Sequence, residues 1–193
     1  MKFLIAGLGN MDPEYMNTRH NVGFDVVDEM VKKDNLVWQG DRYVHKIEMK
    51  FRGKKLIIIK PTTYMNLSGK AIKYWLEAEK IPIENSLVVL DDLNLEYGKI
   101  RIKGDGTDGG HNGLKDISVQ LGTTHYPRLR IGIGSNFNKG SQVNFVLGKW
   151  NELENINRPL IISKAAECSF SFCLAGLQHT MNQFNSFKLP DEK

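Results

Sequence analysis

The chain has 193 residues, of which 41% are hydrophobic and 25% are charged, and this composition predicts one domain over residues 1–193. It contains no apolar run of roughly 18 residues and no signal peptide, so we expect no transmembrane helix and a cytoplasmic location. The two cysteines, Cys168 and Cys173, match neither a CxxC redox motif nor a zinc-binding pattern.

The net charge of +4 is unevenly distributed along the chain. Residues 41–60 contain seven Lys or Arg against two acidic residues, and residues 98–140 contain seven against three. Such an asymmetry suits a polyanionic partner. Ordinary solvated strand faces and turns are the alternative explanation, particularly for the first of these segments.

The first third of the chain alternates between strand and helix patterns. Residues 2–6 are wholly apolar and predict a buried strand that runs into the loop Gly7-Leu8-Gly9-Asn10. Apolar residues then recur at helical spacing from about residue 21, which predicts a helix there. Residues 44–51 and 55–60 flank Arg52-Gly53-Lys54 and predict a hairpin, in which residues 56–59 are apolar enough for a central strand.

The rest of the chain continues the alternation. Residues 61–67 predict a loop, and Ser68 is placed to cap a helix over residues 70–79. Residues 87–90 predict a buried strand that ends at Asp91-Asp92, and residues 99–103 alternate like a half-exposed strand. A glycine-rich loop over 104–110 precedes a predicted helix over 112–121 and a strand over 128–133. The C-terminal third is predicted to be mainly helical, with Pro159 near a helix start.

Strands separated by helices predict a layered α/β domain. We expect a twisted, mixed but largely parallel sheet flanked by helices, together with a C-terminal helix. Ligands of open α/β sheets bind beyond the carboxyl ends of the strands. Three apolar strands of this chain run into polar segments, so Asn10, Asn66 and Asp91 converge on one rim if those strands are parallel neighbours.

His20 is the best candidate for a general base. It lies in the polar run 17–21, and an unperturbed imidazole titrates near neutral pH. A buried carboxylate would orient the ring and stabilise its charged form, and Asp91 is the natural partner. A loop histidine on its own is more often structural, but the expected convergence with Asp91 and the asparagines favours the catalytic interpretation.

The nucleophile is predicted to be water, because no serine or cysteine lies in a recognisable nucleophile motif. His20, His111 and Asp91 are metal ligands in principle, but the chain has no metal-binding spacing and we expect no metal.

Three asparagines, Asn10, Asn66 and Asn112, offer neutral amides that can orient an amide-bearing substrate or stabilise an oxyanion. Each of them taken singly is also a common turn or cap residue.

Two glycine-rich segments were compared with nucleotide-binding loops, and neither matches. The third glycine of a GxGxxG motif would fall at Asp12, and residues 104–110 lack the lysine and Ser/Thr of a P-loop. The second segment is better interpreted as a mobile loop at the rim of a site, followed by a helix N-terminus that can face a phosphate.

Four separated motifs stand out along the chain. They are Gly7-Leu8-Gly9-Asn10 with Tyr15, Thr18-Arg19-His20-Asn21 and Gly23-Phe24; Pro61-Thr62-Thr63-Tyr64-Met65-Asn66-Leu67-Ser68-Gly69; Asp91-Asp92-Leu93 with Gly98 and Arg101; and Gly109-Gly110-His111-Asn112-Gly113-Leu114-Lys115. In this order they resemble the motifs of bacterial peptidyl-tRNA hydrolases. Residues 128–134 and 145–148 extend the resemblance, which runs from residue 3 to about residue 150 and is thinner through the C-terminal helix.

The resemblance implies hydrolysis of the ester between the peptide and the 3′-terminal ribose of peptidyl-tRNA, by a monomer that needs no cofactor. His20 would be the general base for water, and Asp91 would orient and stabilise it. Asn10, the third catalytic candidate, would contact the peptide or the terminal adenosine. The remaining substrate contacts would come from Asn66 and Asn112, which would hold the peptide backbone and the attacking water, and from Tyr15, Tyr64 and His111.

This chain departs from the family pattern at two places. Met11-Asp12 follows the motif asparagine where the family usually has Pro-Gly, so we expect a differently shaped loop with an added charge near the peptide side. Asn94 stands where the third motif usually continues with a second aspartate, and we expect little catalytic effect from it.

A peptidyl-tRNA substrate also explains the charge pattern, since Lys and Arg contacts to phosphates give sequence-independent affinity. The candidate patch is Arg101, Lys103, Lys115, Arg128 and Arg130. We expect no membrane and no obligate protein partner. The main alternative is a non-catalytic RNA-binding protein on the same fold, and a second is a nucleotide-dependent enzyme, against which the unmatched glycine motifs count.

Overall fold

One seven-stranded sheet forms the centre of the protein. The computed structural model describes residues 1–190, so the last three residues of the predicted domain, 191–193, lie outside the described residues. The strands are β1 (Lys2–Gly7), β2 (Gln39–Asp41), β3 (Val44–Phe51), β4 (Lys54–Pro61), β5 (Ser86–Asp92), β6 (Ile100–Lys103) and β7 (Arg128–Gly132). The helices are α1 (Val22–Val31), α2 (Ser68–Ala78), α3 (Asn112–Leu121), α4 (Gln142–Val146), α5 (Glu152–Ala175) and α6 (Leu177–Phe184).

The strand order is β2-β3-β4-β1-β5-β7-β6. Strands β4, β1, β5 and β7 are parallel neighbours, while β2, β3 and β6 are antiparallel to the strands beside them. The predicted mixed, largely parallel sheet flanked by helices is therefore confirmed. Because β1 lies between β4 and β5, the carboxyl ends of these three strands meet at one rim, and the predicted convergence of the segments that follow them is confirmed as well.

Helices cover both faces of the sheet. One apolar cluster joins α1, α5 and α6 to one face, and a second joins α2 and α3 to the other. Strand β1 supplies both clusters, since Phe3 and Ile5 point to the first and Leu4 and Ala6 to the second. Burying one such aliphatic side chain stabilises the fold by about 1.5–3 kcal/mol, which explains the unbroken apolar run of residues 3–6.

The predicted elements differ from the structure in a few details. Pro159 lies inside α5 instead of near a helix start, because α5 already begins at Glu152 behind an Asn151 capping box. Ser68 does not cap α2; it is the first residue of that helix, and its Oγ donates to the carbonyl of Met65 at 2.8 Å. The short strand β2 and the short helix α4 were not predicted, since three and five residues carry too little periodicity. Among residues 1–190, no helix combines the length and the apolarity that a membrane crossing requires.

Candidate active site

The rim at the ends of β1, β4 and β5 carries the candidate catalytic residues. Asn10 follows β1, Asn66 lies in a 3-10 turn (Met65–Leu67) after β4, and Asp91 is the penultimate residue of β5. His20 lies in a second 3-10 turn, Arg19–Asn21, immediately before α1. The polar side chains predicted from separate parts of the sequence therefore meet at one place.

Two glycines allow the histidine turn to approach the sheet. A Cβ on Gly23 would lie 2.4 Å from the carbonyl oxygen of Val89, and a Cβ on Gly7 would lie 2.3 Å from the carbonyl oxygen of Gly23. Both distances are too short for any side chain, so α1 packs directly on the backbones of β1 and β5. This contact places His20 next to Asp91.

Asp91 is shared between two imidazole rings. His20 Nδ1 lies 2.9 Å from Asp91 Oδ1 and 3.1 Å from Oδ2, and His111 Nε2 lies 3.0 Å from the same Oδ1. The carboxylate is 2% exposed, so these two rings replace most of its contact with water. The ring centroids of the two histidines are 5.0 Å apart.

The tautomer of His111 follows from its remaining contacts. His111 is the N-cap of α3, and its Nδ1 accepts the backbone N–H of Gly113 at 3.1 Å and that of Leu114 at 3.4 Å. An Nδ1 that accepts carries no proton, so the ring is neutral and its Nε2–H donates to Asp91. Both ring nitrogens of His111 are therefore bonded within the protein, and the role of this residue in binding substrate stays a prediction.

The local charges shift the pKa values of the pair. Burial by itself would lower the pKa of His20, but the negative charge of Asp91 and its hydrogen bond outweigh burial and raise that pKa above the ordinary value of 6.5. Burial would likewise raise the pKa of Asp91, and the two imidazoles outweigh it and hold that pKa well below its usual range. Asp91 is therefore a carboxylate at neutral pH, and the raised pKa makes His20 a stronger base than an unperturbed imidazole.

Asn10 is held by its own hydrogen-bond network. Its backbone N–H donates to Asn21 Oδ1 at 2.9 Å, and Asn21 Nδ2 donates back to the Asn10 carbonyl at 2.9 Å. Its side-chain Oδ1 accepts the backbone N–H of Met65 at 3.0 Å. The acceptor oxygen is thus used within the protein, and the amide N–H groups are the part of Asn10 that can contact a ligand.

These residues surround a pocket of about 400 Å³. The predicted residues His20, Asp91 and Asn10 line it together with six further candidates, namely Tyr15, Tyr64, Asn66, His111, Asn112 and Arg130. The glycine-rich loop contributes residues 107–110, in agreement with its predicted place at the rim. A further wall of the pocket, called here the α4 wall, was not predicted. It consists of Gln142, Val143 and Val146 of α4 and of Leu147, the residue that follows the helix.

The candidate basic patch stays a prediction for four of its five members, and the burial of the fifth, Arg128, contradicts its place in the patch. Arg101, Lys103 and Lys115 are exposed outside the pocket lining, and Arg130 is held at the pocket by Asp92 at 2.7 Å. Arg128 is 1% exposed; its guanidinium donates to the carbonyls of Thr107 and Thr124 and lies 4.1 Å from the Tyr126 ring centroid. A guanidinium enclosed in this way cannot reach a phosphate. Arg128 instead stabilises the glycine-rich loop through its hydrogen bond to the carbonyl of Thr107.

The potential ligand atoms of His20, Asp91 and His111 lie within 4.8 Å of one another, which is close enough for a shared metal ion. Coordination by His111 Nε2 would require the proton to move to Nδ1. Nδ1 would then carry a proton that points at the backbone N–H of Gly113, so two donors would face each other and this hydrogen bond would be lost. The donor set therefore fits a hydrogen-bonded pair of histidines around a carboxylate better than it fits a metal ion.

The two departures from the family pattern lie beside the pocket. Asp12 is exposed and is not a lining residue, and the chain then forms a 3-10 turn at Pro13–Tyr15 that brings Tyr15 to the pocket. Asn94 donates from its side chain to the carbonyl of Gly109 at 3.2 Å. An aspartate could not make this bond, so the substitution adds a contact to the glycine-rich loop.

Sequence reasoning missed two contributors to the site. Asn21 fixes the backbone of Asn10, and its place in the polar run before α1 was the available signal. The α4 wall forms no long periodic run, and the resemblance of residues 145–148 to the family was the available signal.

Comparison with known proteins gives consistent results over nearly the whole chain. The family model described as peptidyl-tRNA hydrolase matches residues 4–192. The peptidyl-tRNA hydrolase of Phocaeicola vulgatus is 50% identical over 185 residues, which cover 96% of this chain and 99% of that protein. That of Parabacteroides distasonis is 50% identical over 186 residues, which cover 96% and 100%.

Solved structures agree with the sequence matches. The crystal structure of peptidyl-tRNA hydrolase from Acinetobacter baumannii superposes with a TM-score of 0.90 at 34% identity, covering 96% of this chain and 95% of that one. The similarity in fold therefore extends over nearly the whole chain.

Proposed function

The chain belongs to the peptidyl-tRNA hydrolase family, and from this premise we propose that it cleaves the peptide–ribose ester of peptidyl-tRNA with a water molecule that His20 activates. The observation that carries the proposal is the His20–Asp91 hydrogen bond of 2.9 Å at the wall of the pocket. The hydrolysis frees tRNA for further translation.

The reaction needs one proton to be moved twice. Because His20 Nδ1–H donates to Asp91, Nε2 is the ring nitrogen that accepts a proton from water. The hydroxide formed attacks the ester carbonyl carbon and gives a tetrahedral oxyanion. When the bond from that carbon to the ribose oxygen breaks, His20 returns its proton to the leaving oxygen. The products are a peptide carboxylic acid and a tRNA with a free terminal hydroxyl group.

Asp91 supports both halves of this cycle. Its negative charge stabilises the imidazolium that exists between the two proton transfers, and its buried position fixes the ring. His111 contributes from the other side, since its neutral Nε2–H satisfies the carboxylate without adding a second positive charge.

The asparagines supply neutral polar contacts. We assign the side-chain N–H groups of Asn10 to the peptide or the terminal adenosine, because its side-chain Oδ1 already accepts the backbone N–H of Met65. Asn66 and Asn112 are exposed at the pocket and are assigned to the peptide backbone, the attacking water and the developing oxyanion. Unblocked aminoacyl-tRNA lacks the preceding amide that these groups would bind. Tyr15 and Tyr64 line the route of the tRNA end.

The acceptor stem is assigned to the exposed cations beside the pocket. Arg101 and Lys103 project from the same face of the edge strand β6, and Arg101 pairs in register with Arg130 of β7. We further propose that the chain acts as a monomer in the cytoplasm, because one chain supplies the complete pocket and ribosomes generate its substrate there.

Isotope labelling tests the proposed route. An N-acetylated aminoacyl-tRNA would be cleaved in water enriched in oxygen-18, and the released acid and the tRNA would be analysed by mass spectrometry. We expect one labelled oxygen in the carboxylate and none in the tRNA. Label in the terminal ribose, or no release by a folded protein that binds tRNA, would contradict the proposal.

A further inference from the structure

Arg19, next to the proposed base, makes a buried ion pair with a residue 135 positions away. Its Nε donates to Glu154 Oε1 at 3.0 Å and its Nη2 donates to Oε2 at 2.6 Å. The two side chains are only 9% and 11% exposed. A two-point pair of this kind fixes both partners in position and orientation.

Glu154 is fixed from its other side as well. Its Oε2 accepts the backbone N–H of Asn151 at 2.7 Å, and its own N–H donates to Asn151 Oδ1 at 2.8 Å, which closes the capping box of α5. Arg19 is therefore anchored to the rigid start of the longest helix of the protein.

The remaining guanidinium nitrogen of Arg19, Nη1, contacts the helix α4 that forms a wall of the pocket. Nη1 donates to the carbonyl of Phe145 at 3.1 Å, and the guanidinium carbon lies 4.3 Å from the centroid of the Phe145 ring. The backbone N–H of Arg19 also donates to the carbonyl of Gly148 at 3.1 Å. Helix α4 has only five residues, none of them buried, so these contacts add to the packing of Phe145 and Val146 in fixing its position.

We propose that Arg19 and Glu154 are positioning residues that hold α4 in place as a substrate-binding wall of the pocket. This inference rests on the pocket being the peptidyl-tRNA site proposed above. His20 does not share this dependence, because Asp91 holds its ring and the Asn10–Asn21 network holds its turn. Loosening α4 should therefore weaken substrate binding and leave proton transfer nearly unchanged.

Glu154→Gln is the main variant. One carboxylate oxygen becomes an NH2 group, which faces either Nε–H of Arg19 or both Nη2–H of Arg19 and the N–H of Asn151, and it cannot accept from them. Glu167→Gln is the matched control, since it makes the same change on the same helix in an exposed pair with Lys164. Phe145→Leu is a second test, because it removes the stacked ring and leaves the ion pair intact.

Steady-state kinetics on N-acetylated aminoacyl-tRNA and amide hydrogen exchange would be measured together. For Glu154→Gln we expect KM to rise about tenfold, kcat to change less than about threefold, and the acid limb of the pH profile to stay in place. The amides of α4, including that of Phe145, and the amide of the following Leu147 should exchange about tenfold faster, while the β1 and β5 amides keep their protection. Phe145→Leu should give a smaller change of the same kind, and Glu167→Gln none.

Three outcomes would overturn the proposal. The first is that the KM and the α4 amide exchange rates of Glu154→Gln equal those of Glu167→Gln. The second is a loss of kcat with a displaced acid limb, which would place the action of Arg19 on His20. The third is a lower melting temperature with unchanged KM, which would make the pair merely structural. A His20→Asn variant separates this proposal from the catalytic one, because it should lower kcat by about 10²–10⁴-fold without changing exchange in α4.

Discussion

Replacing Asp91 with asparagine removes the charge at the centre of the site and preserves its shape. The amide oxygen can stay at the shared position, where it accepts from His111 Nε2 and lies 2.9 Å from His20 Nδ1. The amide nitrogen then lies at the place of Oδ2, 3.1 Å from His20 Nδ1, where two donors face each other. To avoid this clash, His20 favours the tautomer with its proton on Nε2. In that tautomer Nε2 is already protonated and cannot accept a proton from water.

The size of the effect follows from the lost charge pair. Opposite charges about 4 Å apart interact by about 4 kcal/mol at an effective dielectric constant of about 20. This energy stabilises the imidazolium only after proton transfer, and each 1.36 kcal/mol of barrier is about a tenfold change in rate. Asp91→Asn should therefore lower kcat by about 10³-fold, within the range of roughly 10²–10⁴ expected for a positioned general base.

The direction of the pH effect is fixed by the causes of the His20 pKa. Asp91 raises that pKa above 6.5 against the effect of burial, so removing the carboxylate leaves burial alone and the pKa falls. Initial rates of N-acetylated aminoacyl-tRNA cleavage between about pH 5 and 9 would show an acid limb above 6.5 in the wild type and a displacement to lower pH in Asp91→Asn. An unchanged acid limb, or a kcat close to that of the wild type, would refute the reasoning.

Three further predictions concern the surroundings of the site. Arg101→Ala should raise KM and reduce the slope of log KM against log salt concentration by about one, as measured by a salt titration, whereas an unchanged slope would exclude a phosphate contact. Arg128→Met removes two hydrogen bonds from a buried guanidinium and should lower the free energy of unfolding by roughly 2–4 kcal/mol in urea, with the salt slope unchanged. An altered salt slope with unchanged stability would restore Arg128 to the basic patch. Gly23→Ala forces a Cβ to 2.4 Å from two backbone atoms and should cost about 3 kcal/mol by the same method, whereas unchanged stability would contradict the close packing of α1 on the sheet.

Much of the fold follows from local patterns in the sequence. The unbroken apolar runs at residues 3–6, 56–59 and 87–90 identify the three central strands, because a strand covered on both faces must be apolar at every position. The rule that ligands bind beyond the carboxyl ends of parallel strands then brings Asn10, Asn66 and Asp91 together without any knowledge of their contacts.

The features that escaped prediction depend on contacts between distant parts of the chain. Arg128 looked like an exposed strand residue, but the glycine-rich loop folds over its face of β7 and encloses it. The sharing of Asp91 with His111 depends on how the start of α3 meets the end of β5. The Arg19–Glu154 pair joins residues whose sequence neighbourhoods give no sign of each other.

The most direct test of His20-activated hydrolysis compares the wild type with His20→Asn, with and without EDTA, in the release of an N-acetylated amino acid from its tRNA. Hydrolysis by His20 and water predicts a wild-type rate that EDTA does not change, and a variant that is folded, binds tRNA and is slower by about 10²–10⁴-fold. Cleavage that persists in His20→Asn, or that EDTA abolishes and added metal restores, would contradict it.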